Sequence, residues 1–502
     1  SAYHQAKIEM FRDYDKTLME LQRKQIAYQS QCEVPGGVST GAVGNYSDFS
    51  LIRHEYGKRS RHIPIRQLFA RSAKAIQALK PCLMMSPMSV AQYLQAGSFE
   101  FDVVIMDEAS QILPEFAIGA LARIRRSGGS VVIVGDPKQL PPTNFFSTNY
   151  NEDEDEDILA IQESESILET VSKHPSFHHR RLRWHYRSRH ESLIAFSNRQ
   201  FYDSDLVLFP SPMGENDELG IRFHRIDGVY GHGVNSTEAT AIVQKTIDIL
   251  ETSPNESIGI VAMNTKQRDE IERCFNEQLE ANPSLQVLYD ERSQKDPVFI
   301  KNLENVQGDE RDVILISMTY GPENIGGRTY QRFGPINSKN GWRRLNVLLT
   351  RAKKRMHIFS SMGSGDVLIG SDSSKGVQSL QAFLHYCETG RLGTQGVLTG
   401  KSPDSDFEVA VMKALSNHGY ECEPQVGVNG FFIDIAVRNP ISGQGQFLIG
   451  IECDGATYHS SKSARDRDRL RLEILENLGW EIHRIWSTDW FRNPQAALQP
   501  IL

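Results

Sequence analysis

The sequence predicts an α/β protein: two domains built on parallel sheets, a smaller α/β domain at the C-terminus, and a helical N-terminal part. From Phe101 onward, short apolar runs bounded by Gly, Asp and Pro alternate with helix-length segments, the texture of parallel α/β layers. Two Gly-rich stretches, Gly363–Gly376 and Gly390–Ser402, interrupt that texture and read as linkers. At ~150 residues per domain, a chain of 502 holds about three domains that each bury a core.

Taken in order, Ile8, Phe11, Tyr14, Leu18, Leu21 and Ile26 recur at helical spacing and predict a charged helix over residues 1–30. A Gly-rich break, Pro35–Gly44, leads to a second basic, helix-like stretch ending near Lys80. Residues 1–95 thus read either as a stalk or insertion, with the remainder of the first sheet domain, or as a plain helical hairpin. Val103–Met106, Val131–Val134, Ile258–Met263, Val313–Ser317 and Met356–Phe359 read as buried strands. A split near Arg181 gives domains over 96–180 and 181–362. Residues 363–402 form a linker carrying a helix, Val377–Glu388, and 403–502 an independent domain. Six consecutive acidic residues, 152–157, form a solvated loop or mimic a phosphate backbone.

Composition narrows the class. Apolar content of 39% and charged content of 24% are globular values and exclude a disordered chain. No apolar run approaches the ~18 residues of a membrane span, and the first thirty residues are charged rather than signal-like. The six cysteines are scattered without a Cys-x-x-Cys pair, which argues for free thiols and a reducing, cytoplasmic setting. A net charge of −8 still permits nucleic-acid binding, which needs a local basic groove rather than a basic protein. Histidines 174, 178, 179, 185 and 190 lack a cysteine or carboxylate at ligand spacing, so no zinc site is expected there.

Five segments in fixed order carry the chemistry: Ile105-Met-Asp-Glu-Ala-Ser110, Val134-Gly-Asp-Pro-Lys-Gln-Leu-Pro-Pro142, His185-Tyr-Arg187, Val306-Gln-Gly-Asp-Glu310 and Leu349-Thr-Arg-Ala-Lys-Lys354. Asp107 and Glu108 follow an apolar strand, so both carboxylates emerge at its tip. Phosphoryl transfer needs a metal to neutralise oxygen charge and an acceptor to position the nucleophile. Two acids favoured by a helix dipole are the plainer account.

Together the five resemble motifs II, III, Tyr-Arg, V and VI of a superfamily 1 helicase, of the branch that includes the nonsense-mediated-decay helicases, over roughly residues 80–362. The resemblance implies two RecA-like domains working with ATP and Mg²⁺ on a nucleic-acid strand. By motif position, Asp107 holds Mg²⁺ through water and Glu108 orients the attacking water. Gln139 senses the γ-phosphate, Glu310 beside Gly308 contacts ribose, and Tyr186 stacks on the base. Arg187 and Arg351 are the arginines that reach the transition-state charge. Ser86, Pro87, Ser89, Pro141, Val306 and Gln307 are the strand contacts, largely through backbone. No Gly-x-x-x-x-Gly-Lys-Ser/Thr loop occurs in the chain. The expectation is therefore a piece of a longer protein whose N-terminal part supplies the phosphate cradle.

At the C-terminus, Phe407, Val411 and Leu415 mark an amphipathic helix over Ser405–Gly419. Strands follow at Phe431–Val437 and Phe447–Cys453, then a helix at Lys462–Leu478 and a strand at Glu481–Trp486. In the first strand Ile433, Ile435 and Val437 share a face, with Asp434 opposite. In the second, Glu452 and Asp454 share one face. Carboxylates within apolar strands are costly to bury unless paired or metal-bound. Asp434, Glu452-x-Asp454-Gly455 and His459 resemble the PD-(D/E)xK nuclease fold, in its very-short-patch-repair-like, restriction-endonuclease-like variety. That implies Mg²⁺ or Mn²⁺ held by Asp434 and Glu452. The usual lysine is Asp454 here, and His459 or Lys462 stands as the substitute. Satisfied core acids in an inactive fold are the alternative. Glu408 completes a Ser405-x-x-Glu capping box or serves the metal. Arg465, Arg467, Arg469 and Arg471 alternate with Asp466 and Asp468, a pattern better suited to a salt-bridged helix face than to base reading.

The expected function is an ATP-dependent helicase or translocase joined to a metal-dependent endonuclease. It acts on single-stranded or duplex nucleic acid, DNA before RNA, in prokaryotic defence. The competing reading is an ATP-gated clamp, or an RNA-surveillance helicase, whose terminal domain only binds.

Overall fold

The computed structural model describes residues 2–142, 165–214, 218–390, 402–441, 446–454 and 463–502. The acidic run 152–157, His459, Lys462 and most of the second predicted linker lie outside them. Two compact units divide the chain near Arg181.

The first unit is led by five helices, α1 (Ala2–Cys32), α2 (Asp48–Tyr56), α3 (Ile65–Arg71), α4 (Ala73–Leu79) and α5 (Pro87–Tyr93). The spacing that predicts α1 does not predict a partner for it. Ile8 is buried, yet Tyr14, Leu18, Leu21 and Ile26 lie open. The break after α1 folds back on itself, with Val38 and Ser47 exchanging backbone and side-chain hydrogen bonds. Gly37 has φ +73°, and a Cβ there would lie 2.1 Å from Ser47 O, so only glycine fits the turn. Strand β1 (Val103–Met106), α6 (Pro114–Leu121), β2 (Ser130–Ile133) and α7 (Ile167–Ser172) follow, and β1 pairs parallel to β2. Met106, Ala109, Ala117 and Ile167 form a small core. The strands' other face is open: Val103, Ile105 and Val132 are 49%, 66% and 43% exposed.

The second unit begins with β3 (Trp184–His185), α8 (Ser192–Phe201) and β4 (Val207–Leu208). Its main body comprises β5 (Gly220–Arg225), α9 (Ser236–Thr252), β6 (Ile258–Ala262), α10 (Thr265–Ala281), α11 (Pro283–Ser293), β7 (Phe299–Asn302), β8 (Arg311–Ser317), α12 (Gly341–Leu349), β9 (Ala352–Ser360) and α13 (Lys375–Thr389). Five parallel strands run in the order β5-β9-β8-β6-β7. Ile258, Ile260, Val313 and Leu315 pack against α9, α10 and α11, while the alternate Val261, Ile314, Ile316 and Ile358 are equally buried, so both faces are covered. Asn235, Asn264 and Asn282 cap α9, α10 and α11 by accepting hydrogen bonds from first-turn N–H groups.

Glu238, in the first turn of α9, is fully buried. It accepts hydrogen bonds from Ser317 Oγ, Thr319 N and Ser361 N, each at 2.7 Å. That ties the ends of β8 and β9 to α9, while burial pushes the carboxyl up to about 7. Residues 363–376 are not a free linker. Ser364 donates to Glu388, Val367 is fully buried, and a Cβ on Gly376 would meet Ile336 O at 2.2 Å.

The C-terminal residues form α14 (Asp406–Asn417), β10 (Cys422–Gly427), β11 (Phe432–Arg438), β12 (Phe447–Asp454), α15 (Arg471–Leu478) and β13 (Ile482–Trp486). The sheet order is β10-β11-β12-β13, with antiparallel pairing as far as β12 and a parallel β12–β13 pair. Phe407, Val411 and Leu415 of α14 pack on Ile435, Val437 and Ile451. Ile433 instead joins Ala436, Leu475 and Trp480 in a second cluster, so the three β11 residues expected on one face are divided between two clusters.

That second cluster corrects the expectation of an independent domain. It also contains Phe209, with Trp184 and Val207 packed against it, so the C-terminal sheet shares a hydrophobic core with β3, β4 and the loop after them. Phe209 and Phe431 rings lie 4.9 Å apart, and Phe447 N donates to Pro212 O at 2.8 Å.

Candidate active sites

In the first unit β1 delivers Asp107 and Glu108 to an exposed tip. Glu108 has φ +52°, a left-handed conformation that costs a non-glycine residue ~1–2 kcal/mol. Its N–H is held by Asp107 Oδ1 at 2.9 Å, and Gln111 Nε2 donates to Glu108 Oε2 at 3.2 Å. Val134 N donates to Met106 O and Ala109 N to Val134 O, joining the two strand tips. A Cβ on Gly135 would lie 2.9 Å from Ser110 N, so the two loops meet backbone to backbone. Asp136 organises the next turn by accepting from Lys138 N at 2.8 Å and from Gln139 Nε2 at 3.1 Å. Ser86 caps α5 by accepting from Ser89 N, with Pro87 at the first helical position. Ser86 is exposed, Pro87 and Ser89 are half-buried, and Pro141 is buried.

In the second unit three of the predicted segments converge. Arg187 Nε lies 3.1 Å from Glu310 Oε2, and Lys353 Nζ 2.8 Å from Glu310 Oε1. Those cations, with Arg351, hold the Glu310 carboxyl below its ordinary range, Lys353 most strongly. Gly308, at φ +86°, makes the turn that presents Glu310. Arg351 is 4% exposed. It donates to Val347 O at 2.8 Å, Thr350 Oγ1 at 2.8 Å and Asp309 O at 3.3 Å. Tyr186 is open, whereas His185 is half-buried, and desolvation together with Arg187 pushes it down to about 4. Val306 is fully buried, and Gln307 Nε2 is buried without a hydrogen-bond partner among the described residues. Lys353 is the site residue the sequence reading missed; its adjacency to Arg351 was the available signal.

In the C-terminal domain the Ile435–Ile451 pair places Asp434 beside Glu452, and Glu452 pairs with Arg484 across β12–β13. Asp434 Oδ2 accepts from Cys453 N at 2.7 Å. Burial first, then Glu408, Glu452 and Asp454, raise the Asp434 carboxyl to about 7. Burial likewise raises Asp454 to about 6, against the opposing pull of Arg484. Glu408 takes the capping role at the start of α14. Ser405 Oγ caps its N–H at 3.2 Å, and its buried carboxylate accepts from Asp404 N and Gln425 Nε2 while acting on Asp434. The alternating arginines do form a salt-bridged face in part, Arg467 binding Asp468 at 2.7 Å.

Clustered carboxylate oxygens are the donor chemistry that Mg²⁺ and Mn²⁺ prefer, and Asp434 lies near enough to Glu408, Glu452 and Asp454 to feel their charge. Among the described residues no three such side chains already stand at metal-ligand spacing. Asp434 and Glu452 would hold the ion, with Asp454 engaged by Arg484.

Comparison with known proteins agrees with these three regions. Residues 85–147 and 163–363 match two AAA domain models, and residues 407–502 match the REase_MTES_1575 model. The chain thus carries helicase-type AAA domains followed by a restriction-endonuclease-like domain. It is similar to an uncharacterized ATP-dependent helicase of Mycoplasma pneumoniae, 30% identical over 461 residues, covering 86% of this chain and 39% of the relative. An uncharacterized ATP-dependent helicase of Mycoplasma genitalium is 31% identical over 455 residues, with the same coverages. Helicase sen1 of Schizosaccharomyces pombe is 25% identical over 283 residues, covering 53% of this chain and 15% of the relative. The chain therefore spans 39% of the length of the two Mycoplasma relatives.

Proposed function

We propose that this chain supplies working parts of an ATP-driven helicase or translocase joined to a metal-dependent endonuclease, acting on DNA in prokaryotic defence. The observation that carries the motor half is the meeting of Arg187, Glu310, Arg351 and Lys353, brought together from three separate segments. An acid that binds ribose and planar, always-charged guanidiniums that bind a phosphoryl group suit that cluster. Asp107 and Glu108 are assigned to Mg²⁺ and water, and Gln139 to the γ-phosphate. Bound Mg²⁺ would neutralise phosphate charge; the chain's own residues position and exclude.

The open apolar face of β1 and β2 supports a further element of this reading: a covering layer from a longer protein, which also brings the phosphate-binding loop. Asp434 and Glu452 support the nuclease half, because binding alone does not require paired buried acids.

The test is incubation of the protein with labelled single- and double-stranded DNA and RNA, with Mg²⁺, Mn²⁺ or EDTA. Divalent-dependent cleavage that prefers DNA is the expected result. Absence of cleavage with retained strand binding would move the assignment to the second reading, a clamp with an inactive nuclease-like domain. The engagement of Glu452 and Asp454 by Arg484 is the observation in favour of that reading.

A further inference from the structure

Asp434, Glu452 and Arg484 lie on three neighbouring strands, β11, β12 and β13. Arg484 Nη2 donates to Glu452 Oε2 at 2.9 Å. Its Nε sits 2.5 Å from Asp454 Oδ2 and its Nη1 3.5 Å from Asp468 Oδ1. The guanidinium also lies 5.8 Å from the Trp486 ring centroid. Only 11% of the Arg484 side chain is exposed, so three carboxylates and an indole hold the fork in one place. Two residues after Glu452, where the fold ordinarily has a lysine, stands Asp454, of opposite sign. The neighbouring strand returns a positive charge to the same two acids.

We propose that Arg484 is the positioning residue of the nuclease-like site, fixing Glu452 through Oε2 and neutralising Asp454, so that Glu452 Oε1 and Asp434 remain for a divalent cation. This rests on the metal-dependent reading given above. A carboxylate that ligates a metal is oriented by the group hydrogen-bonded to its other oxygen, and losing that group costs ~10–100-fold in metal affinity. His459 and Lys462 are then not required for this task. Were Arg484 instead a plug in the cation's place, its removal would strengthen binding.

Mn²⁺ titration of the full chain by calorimetry separates these cases. The parent protein should bind Mn²⁺, Arg484→Ala should bind it at least tenfold more weakly, and Arg484→Lys should recover part of the loss. Metal-free melting curves check folding; should Arg484→Ala not fold, Arg484→Gln, which keeps polarity without charge, takes its place under the same criterion. Unchanged or tighter binding by the uncharged variant overturns the positioning role while leaving the nuclease reading intact. No Mn²⁺ binding by the parent overturns both.

Discussion

The indole N–H of Trp480 donates to the backbone oxygen of Pro210 at 2.8 Å, across 270 residues of sequence. Trp480 is 3% exposed and shares a cluster with Phe209, Val426 and Phe431. The terminal sheet thereby shares a hydrophobic core with the start of the second sheet domain.

Truncating the anchor should therefore loosen more than one domain. Trp480→Ala should cost ~3–5 kcal/mol, the usual range for deleting a buried aromatic. Residues 181–502 should melt together in the parent and as two separable transitions in the variant. Calorimetry reads this directly; a single transition persisting in Trp480→Ala would mean the shared core does not couple the two.

The two arginines of the helicase cluster should respond differently. Arg187 is half-exposed and pairs with Glu310, so Arg187→Ala should leave stability within ~0.5 kcal/mol. Arg351 is buried with three acceptors, and Arg351→Ala should cost ~2–3 kcal/mol. In an assay where ATP is turned over, both should lower kcat on the order of 10³ with strand affinity largely kept. Turnover within about tenfold of the parent for either would remove it from the transition-state role.

Much of this was legible in sequence, and the exceptions have physical causes. Strands β1, β2, β6 and β8 announce themselves because their middles are unbroken apolar runs, and β9 through Met356, Ile358 and Phe359 around His357. Strand β5, Gly-Ile-Arg-Phe-His-Arg, alternates charge with apolar residues, and β10 holds a proline; both are edge strands, where such residues are tolerated. Asp434 and Glu452 stood out as acids among apolar neighbours. Arg484 did not, because its pairing with Glu452 is set by parallel register across 32 residues. Glu238 was equally silent: in sequence it is one more first-turn acid, and only the fold gives it three donors.

The raised carboxyls predict a pH dependence of definite sign. Asp434 is raised from 3.8 to about 7 in the fold, facing Glu408, Glu452 and Asp454. Between those values the folded state holds a proton that the unfolded state has lost, so stability falls as pH rises from about 4 to about 7. Glu238, raised to about 7, acts with the same sign. Asp434→Asn should flatten part of that slope and raise Tm at pH 8. A slope identical to the parent's would show that Asp434 ionises normally.

Divalent cations should reverse the same penalty. Above pH 7 the Asp434 and Glu452 carboxylates are a source of repulsion, and a bound cation converts it to attraction. Millimolar Mn²⁺ or Mg²⁺ should therefore raise Tm at pH 8 and much less at pH 5, where protonated Asp434 competes with the metal. Binding at 100 times Kd stabilises by ~2.7 kcal/mol, large enough to see in a melting curve. The Asp434→Ala and Glu452→Ala proteins should lose both this shift and cleavage while keeping their fold. Cleavage that survives the double substitution, or continues in EDTA, would place the hydrolytic chemistry elsewhere and leave the terminal sheet as a nucleic-acid grip.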